Sequence, residues 1–539
     1  MKNIFFDKIK QALYGRVLKP LKRKLFQKKS HVFIKQNDYD KWIQPNEPPN
    51  NKTTAKKLSD FKYKPLIAVV VVSDSDSELI RMQILESYSN CNFYFITEIA
   101  VTDTILKLSD EDYIFYIGLN CITVPLALNA YIDAINETPD VDFIFSDNDY
   151  ISREKNKRFC PVFKPSSLES ETLCSFNYVG DVWVIRREFL RSFTLSDAGC
   201  LSYAVSLYVC RMRGLSRRIP KMLYHVVVEK EDESAIRFSH DCTNILTSYI
   251  KNTTDMEFSV TEVNSHGMYS VNYVLKSTPL VSIIIPNKDS AVLLKKCIDS
   301  IYTKSTYRNY EIVIAENGSD GRETFSLYKK LKLNTNRLKV ITIPGAFNYS
   351  AVNNRAVKEC CGEVLVFLNN DTEVITPEWI EKLLCHAQKH DTGAVGAKLY
   401  YSDGTIQHAG VVLGFGGIAG DPYQGIDGKS DGYLYALRIV RNVSAVTGAC
   451  LMVRRELFDQ INGFDENLSI AYNDVDLCLR LNALGLNTVW TPECELYHYE
   501  SKSRGYEITG EKRHRLKKES DIFRSRWESS LKKMRFSLV

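Results

Sequence analysis

The stretch Pro279-Leu-Val-Ser-Ile-Ile-Ile-Pro-Asn287 decides the fold. It is a short, continuous apolar run, and a helix-like segment with an Asp/Ser start (Asp289-Ser290) follows it. Such a run reads as a buried parallel strand with the helix that comes after it. The same opening stands earlier in the chain as Pro65-Leu-Ile-Ala-Val-Val-Val-Val-Ser73. Working outward from Pro279, strands are expected at 281–285, 311–315, 338–343, 364–368 and 394–399. Working outward from Pro65, they are expected at 66–72, 92–97, 113–117 and 142–145. Strands alternating with helical segments imply an α/β fold, with a parallel sheet core and helices on both faces. One helix has a clear start. Thr376 can cap it, Pro377 suits its first position, and Trp379, Leu383, Leu384 and Ala387 form its buried stripe.

A chain of 539 residues is too long for one core. Its composition, 44% hydrophobic and 25% charged, is ordinary for a globular protein. No run of about 18 apolar residues occurs, so no membrane-spanning helix is expected. The amino-terminal residues lack the long apolar core of a secretory signal. The 14 cysteines are scattered without a CxxC pair, so reduced thiols are expected, with neither zinc sites nor disulfides, in a cytosolic setting.

The net charge of +5 is unevenly placed. Residues 1–30 hold ten Lys/Arg against the single acid Asp7, around an apolar stripe of Phe6, Ile9, Leu13, Val17, Leu21 and Leu25. That pattern fits a basic amphipathic helix on an anionic membrane surface; the alternative is a basic helix packed on its own protein. No basic, aromatic-studded domain follows, so nucleic acid is not an expected partner. Residues 31–62, with Pro45, Pro48 and Pro49, read as a linker. The expected organisation is then a first α/β unit over 63–277, a second over 278–506, and a basic helical tail over 507–539. Residues 402–435, rich in Gly and Asp, read as a long binding loop or lid.

In a parallel α/β sheet, ligands bind beyond the carboxyl ends of the strands. In the second unit those ends read Pro286-Asn287-Lys288-Asp289, Glu316-Asn317-Gly318-Ser319 and Asn369-Asn370-Asp371. Each alone suits a simple turn; three at one edge, with acids downstream, point to a site. A nucleotide-diphospho-sugar needs a hydrogen-bonding edge for its base, a divalent cation for its diphosphate and a base for the attacking hydroxyl. Asp371 is a hard oxygen donor suited to Mg²⁺ or Mn²⁺. Asp474 and Asp476 point in different directions if helical, so one can be the base while the other caps or pairs with Arg480. His498 can complete a metal shell, bind phosphate or be structural.

Six ordered motifs carry a resemblance to the family 2 inverting glycosyltransferases. They are Phe347-Asn-Tyr-Ser-Ala-Val-Asn-Asn-Arg-Ala-Val357, Leu368-Asn-Asn-Asp-Thr-Glu-Val-Ile375, Gln407-His-Ala-Gly-Val-Val-Leu-Gly414, Val446-Thr-Gly-Ala-Cys450, Asn473-Asp-Val-Asp476 and His498-Tyr-Glu-Ser-Lys-Ser-Arg-Gly505. The chain most resembles the tandem-domain, rhamnosyltransferase-like members that build bacterial O-antigen and capsule polysaccharides. The resemblance implies two GT-A-like domains in tandem, a UDP- or dTDP-sugar donor, Mg²⁺ or Mn²⁺, and a lipid-linked oligosaccharide acceptor at the inner face of the cell membrane. It implies Asp474 as catalytic base and Asp371 with His498 as metal ligands. Pro286, Asn287, Asp289, Glu316, Asn317, Asn354, Asn369 and Asn370 would line the donor site. His408, Thr447, Gly448, Asp476 and Arg504 would lie toward the acceptor. Glu316 stands where relatives more often have Asp, and Asp421 where many have His.

The first unit resembles the same family through Phe145-Ser-Asp-Asn-Asp149, Phe163-Lys-Pro165, Asn177-Tyr-Val-Gly180 and Ile219-Pro-Lys-Met-Leu-Tyr-His225. Yet its metal strand reads Ile117-Gly-Leu-Asn-Cys121, and Leu201-Ser-Tyr-Ala-Val205 stands where an Asp-rich helix is expected. This unit is therefore expected to be degenerate. The alternatives are a bifunctional transferase, an inactive carbohydrate-binding or assembly protein, and a nucleotidyltransferase. The last is disfavoured by the lack of an early Gly-rich phosphate loop.

Overall fold

The computed structural model describes residues 36–46, 58–73, 78–85, 88–194, 200–232, 242–264, 266–334, 337–499 and 510–534. The predicted basic helix over 1–30 lies outside these residues, as does Arg504. The chain divides into two compact units, built mainly from Phe33–Asp255 and from Asn272–Arg535.

The first unit opens with helix α1 (Gln36–Asn46). Its strands are β1 (Ile67–Val72), β2 (Cys91–Ile96), β3 (Tyr113–Ile117), β4 (Cys121–Thr123), β5 (Phe143–Ser152), β6 (Lys157–Val162), β7 (Val182–Arg186) and β8 (Ser216–Val228), with helix α2 (Leu201–Arg211) before β8. They form one sheet in the order β2-β1-β3-β7-β5-β8-β4, with β6 on β5.

The second unit holds strands β9 (Val281–Asn287), β10 (Tyr310–Glu316), β11 (Leu338–Thr342), β12 (Val364–Leu368), β13 (Thr372–Val374), β14 (Thr392–Tyr400), β15 (Ile406–His408), β16 (Cys450–Arg454) and β17 (Asn487–His498). Their order is β11-β10-β9-β12-β16-β14-β17-β13, with β15 on β14. Apart from the extra β11 and a two-residue strand, Arg441–Asn442, that pairs with β17, this is the order of the first sheet, strand for strand. The senses agree as well: β1–β3 and β9–β12 are parallel, while β3–β7 and β12–β16 are antiparallel.

Both faces of the second sheet are buried, so its strands alternate between two cores. Val364, Val366 and Leu368 of β12 point into one core, with Leu294 and Ile298 of α3 (Ala291–Lys304) and Trp379 and Leu383 of α5 (Trp379–Ala387). Leu365 and Phe367 point into the other, with Val352 of α4 (Tyr349–Val357), Leu477 and Leu481 of α6 (Asn473–Ala483), and Phe523 of α7 (Gly510–Met534). Period-two alternation, with helices over both faces, gives each residue of the strand a dry neighbour.

Four expectations change. The sheets are mixed rather than parallel, because β16 and β7 return antiparallel beside the first parallel strands. The linker contains α1, whose Tyr39 is buried and donates to the buried Asp149. Thr376 does not cap α5: its hydroxyl accepts the Glu495 amide at 3.1 Å, so the neighbouring strand takes the group that the cap would use. Finally, Cys200 and Cys242, each just before a helix, form a disulfide at a Cα separation of 6.0 Å. A sequence separation of 42 hides that proximity.

Candidate active site

The site is built where β9, β10 and β12 end. Asn370 donates to the Asn287 side chain at 2.6 Å, and Asn287 donates to Tyr328 at 2.7 Å, which ties two strand ends together. The Asn317 amide donates to the Asn287 carbonyl and adds the third end. Pro286 is buried inside β9, beside Ala315. Asp289 has φ 55°, a left-handed conformation that Asp tolerates. Its carboxylate accepts the amides of Asp320 and Gly321 at 2.7 and 2.8 Å, and those hydrogen bonds, Gly321's first, hold its pKa below the ordinary value. Asp289 therefore shapes the loop that follows β10.

Glu316 is committed in a similar way. Its buried carboxylate accepts the amide and hydroxyl of Ser319 and the hydroxyl of Tyr328. The side chain of Asn317 donates to the carbonyls of Ile343 and Gly345, which leaves its buried Oδ1 without a partner. A buried acceptor with no donor is costly, and it marks where a ligand's N–H would be welcome.

Asp371 sits in the turn between β12 and β13. The short antiparallel ladder between β13 and β17 places Thr372 opposite His498. That rung brings His498 Nε2 to 3.3 Å from Asp371 Oδ1 and 3.2 Å from Asn369 Nδ2. Both Asp371 and His498 are buried. Asn369 Nδ2 donates to Nε2 in one tautomer and Nε2 donates to Asp371 in the other, while Nδ1 is buried without a partner. Asp371 and His498 thus bring a carboxylate oxygen and an imidazole nitrogen to within 3.3 Å, an O/N donor set suited to a divalent ion once Nε2 is released from its contact with Asn369. Among the described residues no group of three or more His, Cys, Asp or Glu side chains could hold a metal. The described residues would supply two ligands.

The strip Thr447-Gly448-Ala449 connects this corner to Asp474. The Ala449 carbonyl accepts the Asn369 amide at 3.0 Å, and the Gly448 amide donates to Asp474 Oδ2 at 2.9 Å. Asp474 lies in the first turn of α6, where the helix dipole favours an anion, and its other oxygen accepts the Val475 amide. It is only partly buried, so a ligand can reach it. Gly448 must lack a side chain, since a Cβ there would lie 2.8 Å from the hydroxyl of Tyr349, which donates to the Gly448 carbonyl. Behind the strip stands His408. Its Nδ1 lies 3.2 Å from Asp421, and its Nε2 accepts the Thr447 amide at 3.4 Å. Asp421 also accepts the amides of Ala409 and Tyr423, so it braces the loop.

Two of the predicted residues are drawn away from this corner. Asp476 is wholly buried on the far side of α6, held by Arg480 at 2.7 Å, Arg526 at 2.7 Å and Trp527 at 3.0 Å. Asn354 exchanges two hydrogen bonds with the backbone of Phe464 and so fastens α4 to a loop. Tyr349, Tyr328 and Glu519 were not singled out from the sequence. Tyr349 lay inside a quoted motif, and Glu519 carried a signal in its spacing to Phe523, Arg526 and Trp527.

Residues 282–461 match the family described as Glycosyl transferase family 2. The chain is 35% identical over 440 residues to protein y4gI of Sinorhizobium fredii, covering 79% of this chain and 48% of that protein. It is 30% identical over 517 residues to the O-antigen biosynthesis protein RfbC of Myxococcus xanthus, covering 87% of this chain and 40% of that protein. Over 65 residues it is 42% identical to the N-acetylglucosaminyl-diphospho-decaprenol L-rhamnosyltransferase of Mycobacterium tuberculosis, covering 12% of this chain and 21% of that enzyme. The chain spans about half or less of the length of each of these relatives.

Proposed function

We propose that this chain, which carries a glycosyl transferase family 2 domain over residues 282–461, moves a sugar from a nucleotide-diphospho-sugar to a lipid-linked polysaccharide acceptor, with inversion. The observation that carries the reading is the corner itself. Asp371 and His498 face one point, and the strip 447–449 joins that corner to a partly exposed Asp474.

Asp474 takes the proton of the acceptor hydroxyl as that oxygen attacks the anomeric carbon. The new C–O bond forms as the bond from that carbon to the diphosphate oxygen breaks, and configuration at the carbon inverts. The Gly448 amide and the amino end of α6 keep Asp474 an oriented anion. Asp371 and His498 would hold Mg²⁺ or Mn²⁺, and such an ion would supply charge neutralisation for the departing diphosphate. Asn287, Asn317 and Asn370 form the polar floor at the strand ends where the donor would lie, a UDP- or dTDP-sugar.

The two sheets also support a division of labour. In the first, β4 pairs Cys121 with Val226 at the rung where β13 pairs Thr372 with His498. The preceding carbonyl, of Asn120, accepts the amide of Val227, as that of Asp371 accepts the amide of Tyr499. Asn120 and Val226 thus stand where Asp371 and His498 stand. We read the first unit as a degenerate GT-A-like scaffold and the second as the catalytic one. No described helix is long and apolar enough to cross a membrane. Peripheral attachment to the cytoplasmic face through residues 1–30 belongs to this proposal.

The test is Asp474→Asn, assayed with UDP-, GDP- and dTDP-sugars, Mn²⁺ and a lipid-linked acceptor. Transfer should fall to a small residual rate while donor binding remains. Transfer near the wild-type rate would remove Asp474 from the mechanism, and transfer indifferent to EDTA would remove the metal.

A further inference from the structure

Helix α7 turns four residues toward the start of α6, at spacings of four, seven and eight from the first: Glu519, Phe523, Arg526 and Trp527. Such spacing places them on one face. Each grips a residue beside Asp474. The buried carboxylate of Glu519 accepts the amides of Ser469 at 3.0 Å, Ile470 at 3.3 Å and Ala471 at 2.8 Å, together with the Ser469 hydroxyl. The Phe523 ring packs 5.2 Å from that of Tyr472, the residue whose left-handed backbone (φ 64°) opens α6. Arg526 bridges Asp476 and Asp465, at 2.7 and 2.6 Å, and Trp527 donates to the same oxygen of Asp476. Residues 469–472 precede Asp474 and Asp476 follows it, so both flanks of its turn are held by α7.

We propose that α7 is a latch for the proposed catalytic base, and that Glu519 is its chief positioning residue. This rests on the reading of Asp474 as the base. Phe523 and Leu531 are buried and anchor the helix through apolar contact, which needs no charged group. A buried carboxylate is costly unless its hydrogen bonds are met, and here several donors meet it from one three-residue loop. That arrangement fixes the register of the loop and hence where α6 begins. Asp474 itself bonds to the Gly448 and Val475 amides, so α7 acts on it only through its neighbours. The catalytic unit on this view runs to 534 and includes the segment read from sequence as a basic tail.

The test uses the full chain. Glu519→Gln replaces one acceptor oxygen by a donor facing backbone N–H groups. The expected result is a fall in kcat of about tenfold or more, with donor KM and the affinity for UDP–Mn²⁺ held within about twofold, since only one step is misaligned. In an Asp474→Asn background the same substitution should cost nothing further, because both act through one group. Arg526→Gln, at a more exposed position, should move kcat the same way by a smaller factor, and it carries the test if Glu519→Gln fails to fold. An unchanged kcat in a folded variant overturns the latch, even if Tm drops. So does an equal additional loss in the Asp474→Asn background. A wild-type chain that transfers no sugar from any donor would sink the transferase reading itself. A working wild type with unaffected variants sinks the latch alone.

Discussion

Gly448→Ala is the sharpest perturbation of the proposed site, because one methyl group sets two observations against each other. The added Cβ would stand 2.8 Å from the Tyr349 hydroxyl and 3.3 Å from its ring carbon. That ring is buried and packs against Phe464, so it has little room to withdraw. The strip 447–449 must shift instead, and the Gly448 amide loses its 2.9 Å hydrogen bond to Asp474. A hydrogen bond to a charged group contributes about 1.5–3 kcal/mol, which corresponds to about 10- to 150-fold in rate if the loss falls on the transition state. Tyr349→Phe alone removes a neutral hydrogen bond to the Gly448 carbonyl, a loss of about 1 kcal/mol. In the double variant the hydroxyl that causes the clash is absent, so Tyr349→Phe should restore much of the activity that Gly448→Ala removes. The assay is kcat at saturating donor for the four proteins of the cycle, with Tm measured alongside. If Gly448→Ala stays within about twofold of wild type, or if the two losses simply add, the steric reasoning is wrong.

Asp371→Asn should abolish the rise in Tm that Mn²⁺ plus UDP produces in the wild type; a rise of equal size would remove Asp371 from the metal site. Lys164 in the first unit is wholly buried, and burial pushes its pKa down to about 7 against the pull of Asp147. The unfolded chain keeps that proton to about pH 10.4, so between about pH 7 and 10 the unfolded state binds more protons and stability should rise with pH. Lys164→Met should lose that rise, and identical Tm-versus-pH slopes would refute the assignment. Glu373 behaves oppositely. Burial alone would raise its pKa, but hydrogen bonds from Lys296, Tyr499 and Lys304 hold it at about 2, against an ordinary 4.5. Its contribution is present above pH 4.5 and disappears as pH falls toward 2, so Glu373→Gln should lower Tm at pH 7 and converge with wild type near pH 2. Equal Tm values at pH 7 would contradict the ion-pair geometry.

The strands that the sequence makes legible are those buried on both faces. The expected strand at 364–368 coincides with β12, because a continuous apolar run bounded by polar residues has few other uses. Asp371 was legible for the same reason: it closes such a run. His498 was legible only as a candidate, since what brings it to Asp371 is a rung of pairing with a strand more than a hundred residues earlier. The partner of Asp476 was half legible. Arg480 lies one helical turn away, whereas Arg526 and Trp527 come from a helix that local spacing does not connect to α6. Thr376 shows the converse failure. Its position is right for a cap, but a backbone amide from another strand competes for the same oxygen and wins. Local chemistry proposes partners, and tertiary pairing decides between them.

The two sheets make that distinction concrete. Strand order is enforced by burial. Moving a strand would expose a whole apolar face, at about 25 cal/mol for every Å² returned to water, so the order is retained in both units. A single rung at the carboxyl edge carries no such penalty. Val226 serves the β4–β8 ladder through its backbone as well as His498 serves β13–β17, because the ladder reads only N–H and C=O groups. Asn120 likewise keeps the carbonyl contact that Asp371 makes, while offering a neutral side chain in place of a charged one. The side chains on that rung are therefore free to change without disturbing the fold. A difference at those positions, within a shared framework, separates chemistry from architecture, and it supports our proposal that the second unit is the catalytic one.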